Sequence, residues 1–242
     1  MLGHRAPFGS NPLGALVWQP QAMNRGDFLN DLVSLLPSSE GGRLRIGIDG
    51  RDGVGKTSLA EELAPLLRSR GDAVTRASLD GFHNPQATRY KLGKDSAEGY
   101  WLHAYDLSSI KAELLDPWTT GTGAWRSAIH DVRTDETLTG EPTPVPAQGT
   151  LLVDGVFLAR AELVEYWDIL VLLDAPLAIS QARGAARYGP DYDPNTPGER
   201  KYADAHAFYR EACDPVARAN ILIDASDLAE PRLLRPSTVT LK

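Results

Sequence analysis

A glycine-rich run that directly follows an apolar segment constrains this chain more than any other feature of its sequence. The segment Leu44–Asp49 reads LRIGID, and the run Gly50–Thr57 that follows it reads GRDGVGKT. A stretch with helical spacing of apolar residues comes next. The run matches G-x-x-x-x-G-K-[ST] in the strand–loop–helix setting that this pattern requires. The sequence therefore predicts a phosphate-binding loop (P-loop), against the alternative of an accidental glycine turn.

The residue types of the P-loop indicate its chemistry. Glycines let several backbone N–H groups converge on one anion at the start of the next helix. Lys56 is then expected to reach the β- and γ-phosphates, and the Thr57 hydroxyl to bind Mg²⁺. Pro65 is expected to kink or shorten the helix that follows. The predicted nucleotide-binding residues are Gly50, Arg51, Asp52, Gly53, Val54, Gly55, Lys56, Thr57 and Ser58.

Continuously apolar segments alternate with helical patterns along the chain. Such strands indicate a parallel sheet with helices on both faces. The predicted fold is a three-layer α/β/α P-loop fold with a five-stranded parallel sheet. The expected strands are 44–49, 73–79, 150–154, 168–174 and 219–224. A helix is expected to begin at Asp106 and to end at Asp116-Pro117, and 124–133 to form a hairpin or an irregular strand pair.

The predicted domain organisation has three parts. Residues 1–40 form an N-terminal extension with one short helix, which we expect over 27–36. Residues 41–230 form the P-loop domain, with an acceptor-binding insert at 81–148 and a lid at 180–202. Residues 231–242 form a C-terminal tail.

Composition excludes several classes of function. The net charge of −7 argues against general binding to nucleic acid or to an anionic membrane. No apolar run reaches transmembrane length, and prolines interrupt the N-terminal segment where a signal peptide would need an apolar core. The single cysteine, Cys213, excludes an intrachain disulfide and favours a reducing compartment. We therefore expect a cytoplasmic protein without nucleic-acid or membrane partners, with a homo-oligomer left open.

Acidic residues follow several of the predicted strands. Asp49, Asp80, Asp154 and Asp174 lie at or near strand ends, and ligands of such sheets bind beyond the carboxyl ends of the strands. Asp154 is predicted to hold Mg²⁺, against the alternative of a turn cap. Asp80 is predicted either to accept the proton of a substrate alcohol or to cap a turn, and spacing alone does not choose between these.

Three further segments resemble the uridine kinase-like branch of the P-loop kinases, which is related to phosphoribulokinase and pantothenate kinase. They are SLDGFH at 78–83, DGVF at 154–157 and ANILID at 219–224. The resemblance extends over about residues 43–230. It implies ATP or GTP as phosphoryl donor, Mg²⁺, and a small-molecule alcohol as acceptor.

The resemblance also implies roles for residues outside the P-loop. Asp80 matches the catalytic base and is expected to touch the metal as well. His83 is expected near a bound nucleoside, and Asp95 near its ribose hydroxyls. Trp125 and His130 share the spacing of the aromatic residue and histidine around a pyrimidine base, with core packing and a structural histidine as the alternatives.

Arg183 and Arg187 are four residues apart on a predicted helix, so they share one face. The resemblance implies that they are lid arginines that grip the transferring phosphate, a task that suits the planar guanidinium. The alternative for each is a solvated charge.

Taken together, the motifs predict a kinase that acts on a small-molecule alcohol, and the resemblance implies that this is the 5′-hydroxyl of a pyrimidine nucleoside. Two alternatives remain at this point. One is the same machinery acting on pantothenate, a sugar or another alcohol. The other, from a different class, is a nucleotide-sensing NTPase without a small acceptor.

Overall fold

A six-stranded sheet lies at the centre of the computed structural model, which describes residues 23–235. Its strand order is β10-β9-β8-β1-β7-β2. Neighbouring strands are parallel except at one edge, where β10 runs antiparallel to β9. The strands are β1 Arg43–Gly50, β2 Val74–Ser78, β3 Ala124–Trp125, β4 His130–Asp131, β5 Glu136–Thr137, β6 Thr143–Pro144, β7 Gly149–Asp154, β8 Ile169–Asp174, β9 Ile221–Asp224 and β10 Arg232–Arg235.

Helices cover both faces of this sheet. The α-helices are α1 Arg25–Leu35, α2 Lys56–Ser69, α3 Gln86–Arg89, α4 Ala97–His103, α5 Leu107–Ser109, α6 Asp116–Thr120, α7 Leu177–Tyr188, α8 Pro197–Cys213 and α9 Pro215–Arg218. Two 3₁₀ turns lie at Leu79–Phe82 and Val164–Tyr166, and a π-helical segment spans Ile110–Leu115. Within residues 23–235 no helix has the length and apolar character needed to cross a bilayer.

The predicted α/β fold with a central parallel sheet is confirmed, and each of the five predicted strands is present. The strand β10 adds a sixth, from a segment that the sequence interpretation placed in a tail. Strand β10 has four residues, of which only two are apolar, so its sequence alone gives little indication of a strand. Leu233 is buried because β9 offers an edge to which the returning chain pairs, with Leu233 opposite Ile223.

Helix α1 lies against α2, and its apolar side belongs to the core on one face of the sheet. Asn24 caps α1, because its side chain accepts a hydrogen bond from the Asp27 N–H at 3.0 Å. Phe28 and Leu32 are almost fully buried in the same cluster as Leu59 and Leu63 of α2. The residues 25–36 are therefore part of the packed core of this domain.

Three local expectations were wrong. Helix α2 is not shortened at Pro65: it continues to Ser69, because its buried face holds it on the sheet despite the missing N–H. The segment after Asp106 does not end at Pro117, which lies in the first turn of α6, where proline is tolerated. Residues 124–133 do not pair with one another: β3 pairs with β6, and β4 with β5.

The sheet brings three chain segments together at its carboxyl edge. Ile48 of β1 and Ser78 of β2 both lie opposite Asp154 in the strand register. The P-loop leaves β1 two residues after Ile48, and the 3₁₀ turn that contains Asp80 leaves β2. The edge therefore places the P-loop, Asp80 and Asp154 around one space.

Candidate active site

A cleft of about 890 Å³ opens at the carboxyl edge of the sheet. The P-loop and the ends of β2 and β7 form its floor, and α7 and α8 form one wall. The insert after β2 also lines the cleft, and its helix α4 packs against α8. The predicted site residues that line it are Arg51, Asp52, Gly53, Gly55, Lys56, Thr57, Ser58, Asp80, His83, Asp154, Arg183 and Arg187.

Two glycines of the P-loop are required by close approach of the backbone. A Cβ atom at Gly50 would lie 2.5 Å from the Leu173 carbonyl oxygen, and one at Gly53 would lie 2.8 Å from that of Ser180. Both glycines also have positive φ, at 149° and 74°. No side chain caps the start of α2, where Gly55 is the N-cap. The loop thus has the tightly turned glycine backbone and the uncapped helix start of an anion-binding site.

Charged side chains of the P-loop face the cleft. The Lys56 ammonium donates a hydrogen bond to the Arg51 carbonyl at 2.9 Å. The Asp52 side chain is exposed in the cleft. Desolvation by the cleft walls raises the pKa of its carboxyl; the charge of Asp80 raises this pKa further, and the charge of Lys56 lowers it.

Beneath the loop, the buried Asp49 accepts hydrogen bonds from the Gly50 N–H at 2.7 Å and from the Tyr209 hydroxyl.

Thr57 and Asp154 have the arrangement expected of a magnesium site. The Thr57 hydroxyl donates to Asp154 Oδ2 at 2.7 Å. Asp154 is 2% exposed, and its Oδ1 has no hydrogen-bond partner among the described residues, although an Arg76 nitrogen lies 3.5 Å away. In residues 23–235 no cluster of three or more His, Cys, Asp or Glu side chains could hold a metal alone. One carboxylate and one hydroxyl beside a phosphate site are, however, the donors that Mg²⁺ uses with a nucleotide.

Asp80 lies across the cleft from the P-loop floor and is exposed to the space between them. Its backbone N–H is held by the Ser78 hydroxyl at 3.3 Å, and its carboxylate faces the Tyr105 hydroxyl at 3.5 Å. His83 Nδ1 lies 2.9 Å from the Asp80 carbonyl oxygen, so Nδ1 is the protonated nitrogen. Burial lowers the pKa of His83. A carboxylate in this position can accept a proton from an alcohol in the cleft.

The two arginines of α7 have different surroundings. Arg183 donates to the carbonyl oxygens of Ala225 and Ser226 at 2.8 and 2.9 Å, and it approaches the Val54 carbonyl at 3.5 Å. Burial lowers its pKa. Arg187 is exposed on the cleft wall, with its guanidinium 5.5 Å from the centre of the Tyr188 ring. Arg187 is therefore free to meet a phosphate, whereas Arg183 ties α7 to the P-loop and the turn after β9.

Three predicted acceptor residues do not line the cleft. The Trp125 ring is buried with its centre 6.0 Å from that of Trp118. His130 is buried, and its Nε2 lies 3.1 Å from Asp135 Oδ1. Asp95 is exposed on the loop before α4. The short ribbons β3–β6 and β4–β5 hold the first two in the interior of the insert, which spacing along the chain did not reveal.

The cleft also contains residues that sequence reasoning did not select. They include Ser78, Arg89, Tyr90, Lys94, Tyr100, Lys201 and Tyr202. Tyr100 and Tyr202 meet edge to face with ring centres 4.9 Å apart. They come from α4 and α8, about a hundred positions apart, and no local pattern links them. The adjacent Arg200 and Lys201, a short basic run within the predicted lid, are a signal that the sequence offers.

Comparisons with solved structures find P-loop kinases. The chain is 26% identical to a possible uridine kinase from Bacillus stearothermophilus, with a TM-score of 0.62, over 82% of this chain and 96% of that one. It shares the fold of D-glycerate 3-kinase from Cryptococcus neoformans, at 11% identity and a TM-score of 0.54, over 86% and 98% of the two chains. Phosphoribulokinase from Rhodobacter spheroides is similar at 14% identity and a TM-score of 0.50, over 82% and 76%.

No protein-family model matches the chain, and no curated protein matches it in sequence. The neighbours nevertheless support a phosphotransferase that uses a nucleotide and a small molecule. The chain has the P-loop kinase fold, and its resemblance to the uridine kinase-like kinases and phosphoribulokinase, which the motifs indicate, is confirmed by these structures.

Proposed function

We propose that the protein is a kinase that transfers the γ-phosphoryl group of ATP or GTP to the hydroxyl of a small molecule. The observation that carries this proposal is the position of Asp80. It lies in the same cleft as a complete P-loop and as the Thr57–Asp154 pair, which are joined by a hydrogen bond of 2.7 Å. A donor site and a proton acceptor in one cleft are the two parts that phosphoryl transfer to an alcohol needs.

Each part of the cleft has a role in this proposal. The P-loop amides and Lys56 hold the donor phosphates, and Asp80 orients or deprotonates the acceptor hydroxyl. Arg187 meets the transferring group from α7. The wall formed by α7 and α8 limits the access of water, which would otherwise compete as acceptor.

The residues present fit a magnesium ion bound with the nucleotide. Thr57 and Asp154 would hold it, and Asp80, which the sequence interpretation also assigned to the metal, lines the same cleft. When bound, the ion neutralises phosphate charge. The Oδ1 of the buried Asp154 supports this assignment, because it accepts no hydrogen bond and its one ion-pair contact among the described residues is with Arg76 at 3.5 Å.

The chemical identity of the acceptor depends on the residues that line the cleft beyond the P-loop. A pyrimidine nucleoside remains the candidate from the sequence, and His83 lines the cleft as that interpretation requires. Trp125 and His130, which the sequence interpretation placed around the pyrimidine base, lie outside the cleft lining. The geometry therefore supports an alcohol acceptor more strongly than it supports a nucleoside in particular.

The one cysteine, Cys213, is buried, and on this we base the proposal of a cytoplasmic enzyme.

The experiment measures release of the nucleoside diphosphate, ADP from ATP or GDP from GTP, in the presence of magnesium and with nucleosides, pantothenate and pentoses as acceptors. We expect at least one acceptor to raise this release well above the basal rate, and Lys56→Ala to abolish the increase. Nucleotide turnover that depends on Lys56 but that no alcohol stimulates would favour the sensor alternative. Absence of nucleotide binding by folded protein would refute the proposal.

A further inference from the structure

A buried lysine lies in the acceptor part of the cleft. Lys201, in the first turns of α8, lines the cleft although it is only 8% exposed. Its ammonium lies 5.0 Å from the centre of the Tyr202 ring and 5.7 Å from that of Tyr90. It donates one hydrogen bond, to the Lys94 carbonyl oxygen at 2.8 Å. An ammonium has three N–H donors, so this bond uses one of them.

The charge of Lys201 is not neutralised by a paired carboxylate. Within residues 23–235 no Asp or Glu oxygen lies within ion-pair distance of its ammonium, although Asp95 and Glu199 are near enough to raise its pKa somewhat. Burial outweighs them and lowers the pKa. A buried ammonium without a partner costs free energy. Two ring faces and one carbonyl oxygen offset only part of this cost.

Charged side chains of both signs surround Lys201 at this end of the cleft, and Glu199 is among the lining residues. Arg89 and Lys94 also line this part. The Arg89 guanidinium is occupied, by the Asn84 carbonyl at 2.7 Å and Asp135 Oδ1 at 3.3 Å. The Lys94 side chain is exposed. Of these three cations, Lys201 is the one that is both buried and incompletely partnered.

Aromatic residues connect Lys201 with the proposed catalytic carboxylate. The Tyr202 ring, over which Lys201 lies, meets the Tyr100 ring with centres 4.9 Å apart. The Tyr100 and Tyr105 rings both meet the Phe157 ring edge to face, with centres 5.6 and 6.5 Å away, and the Tyr105 hydroxyl lies 3.5 Å from Asp80 Oδ1. Lys201 and Asp80 therefore lie along one continuous wall. Contacts of the Lys201 ammonium are with the insert and α8 rather than with the P-loop.

From this arrangement we propose that Lys201 binds an anionic group of the acceptor, so that the substrate is an alcohol that carries a carboxylate or a phosphate ester. The inference rests on the proposed kinase function and specifies its substrate class. The hydroxyl to be phosphorylated lies at Asp80, and the anionic group completes the hydrogen bonds of the Lys201 ammonium. The tyrosine rings between them pack against the carbon skeleton of the substrate.

Two other roles for Lys201 give different experimental results. If it only tethers the loop before α4 through the Lys94 carbonyl, Lys201→Gln keeps a donor for that bond and has little effect on ligands. If it contacts the donor phosphates, Lys201→Gln weakens nucleotide binding. The exposed Lys94 provides a matched control, since Lys94→Gln removes a charge from the same end of the cleft.

The first experiment measures anion binding with the P-loop already filled. Protein saturated with magnesium and a non-hydrolysable ATP analogue is titrated with acetate or with inorganic phosphate, and binding is followed by the backbone amide NMR signals of Lys94 and Tyr202. We expect one of the two anions to bind, and its identity distinguishes a carboxylate from a phosphate ester. Lys201→Gln should weaken this binding at least about tenfold, in line with a charge-assisted hydrogen bond. Lys94→Gln should change it less than about threefold.

The outcomes separate this inference from the kinase proposal. Binding of the ATP analogue without binding of either anion to the wild-type protein would leave the kinase proposal standing and overturn this one, whatever the variant does. Equal anion affinity in the wild type and Lys201→Gln, or a loss of nucleotide affinity instead, would also overturn it. Failure of the wild type to bind the ATP analogue would overturn both.

A second experiment compares acceptors in matched pairs with and without the anionic group, such as glycerate with glycerol, pantothenate with its neutral alcohol, and a pentulose phosphate with the free pentulose. We expect the charged member of a pair to be the better acceptor by at least about tenfold in kcat/KM. Lys201→Gln should raise its KM and leave kcat largely unchanged. A neutral nucleoside that is phosphorylated better than every charged acceptor, and equally well by Lys201→Gln, would contradict the inference.

Discussion

The Tyr209 hydroxyl of α8 donates a hydrogen bond to the buried carboxylate of Asp49, directly beneath the P-loop. The same hydroxyl accepts a hydrogen bond from the Ala159 N–H at 2.9 Å. Tyr209 thus joins α8, which carries Lys201 at the cleft wall, to the end of β1. Burial raises the pKa of Asp49, while the bond from Tyr209 opposes this rise.

Replacement of Tyr209 by Phe removes the main side-chain partner of this carboxylate. We expect the free energy of unfolding to fall by about 1–3 kcal/mol, because a buried acceptor loses its donor. Tyr166→Phe is the matched control, since it removes a Tyr–Asp hydrogen bond, to Asp116 at 2.7 Å, at an exposed position. It should cost less than about 1 kcal/mol. Urea denaturation of both variants provides the test, and equal losses would contradict the role assigned to Tyr209.

The Thr57–Asp154 pair predicts how nucleotide use depends on magnesium. Thr57→Val keeps the size of the side chain but removes the hydroxyl. We expect the magnesium concentration needed for half-maximal ADP release to rise by about tenfold or more, since the proposed site then loses one of its two protein oxygens. Nucleotide binding measured in EDTA is the control and should be little affected. An unchanged magnesium requirement would remove Thr57 from the site.

Asp80→Asn tests the proposed proton acceptor. The amide keeps the shape of the side chain but cannot accept a proton in the same way. We expect kcat to fall by roughly 10²–10⁴-fold, the usual contribution of general-base assistance. The dissociation constant of the donor nucleotide should stay within about threefold. Steady-state kinetics combined with nucleotide titration separates the two quantities, and comparable changes in both would argue for a role in donor binding instead.

Arg183 and Arg187 form a natural pair for comparison, because they lie one turn apart on α7 with different contacts. Arg187→Ala should lower kcat by about tenfold or more without weakening nucleotide binding, since its exposed guanidinium has a phosphate as its expected partner. Arg183→Ala should instead weaken nucleotide binding, because its bonds to the Ala225 and Ser226 carbonyls tie α7 to the P-loop side of the cleft. The reverse pattern in kinetics and titration would exchange the two assignments.

His206 gives a prediction for the pH dependence of stability. Burial, with the nearby Arg51 adding to it, lowers the pKa of His206 to about 3, whereas an unfolded histidine titrates near 6.5. Between these values the unfolded chain binds the extra proton, so stability is complete above about pH 6.5 and decreases as the pH falls towards 3.

From pH 7 to pH 5 the share of this decrease that comes from His206 is about 2 kcal/mol. His206→Gln removes the titrating group, so the variant should lose about that much less stability than the wild type over this range. Chemical denaturation at the two pH values measures the difference. Parallel pH profiles for the two proteins would show that His206 is not kept neutral by the fold.

The core of the fold was predictable because its signals are local. Each buried strand, such as β7 or β8, is a continuous apolar run, which a strand buried on both faces requires. The edge strand β10 has no such run, and its pairing with β9 depends on where the chain returns. The π-helical segment 110–115 and the passage of α2 through Pro65 were likewise decided by packing.

The donor side of the site was also predictable, whereas the acceptor side was not. The P-loop is a run of eight consecutive residues, and the residue types at fixed positions in that run identify a phosphate-binding loop. Asp154 ends a recognisable strand. The acceptor wall combines Tyr100 and Tyr202 from two distant helices, so no spacing within the chain shows that they meet. Trp125 and His130 had a suggestive spacing, but the small ribbons of the insert place both outside the cleft lining.

The sequence alone determined a P-loop, an α/β sheet and an acid at the end of a strand, because each depends on neighbours only a few positions away. The tertiary structure alone decided that Lys201 is buried without a carboxylate partner, that Tyr209 supports Asp49, and which side chains share the cleft. These are contacts between segments up to 160 positions apart. Their formation depends on how helices pack on the sheet, which local periodicity does not encode.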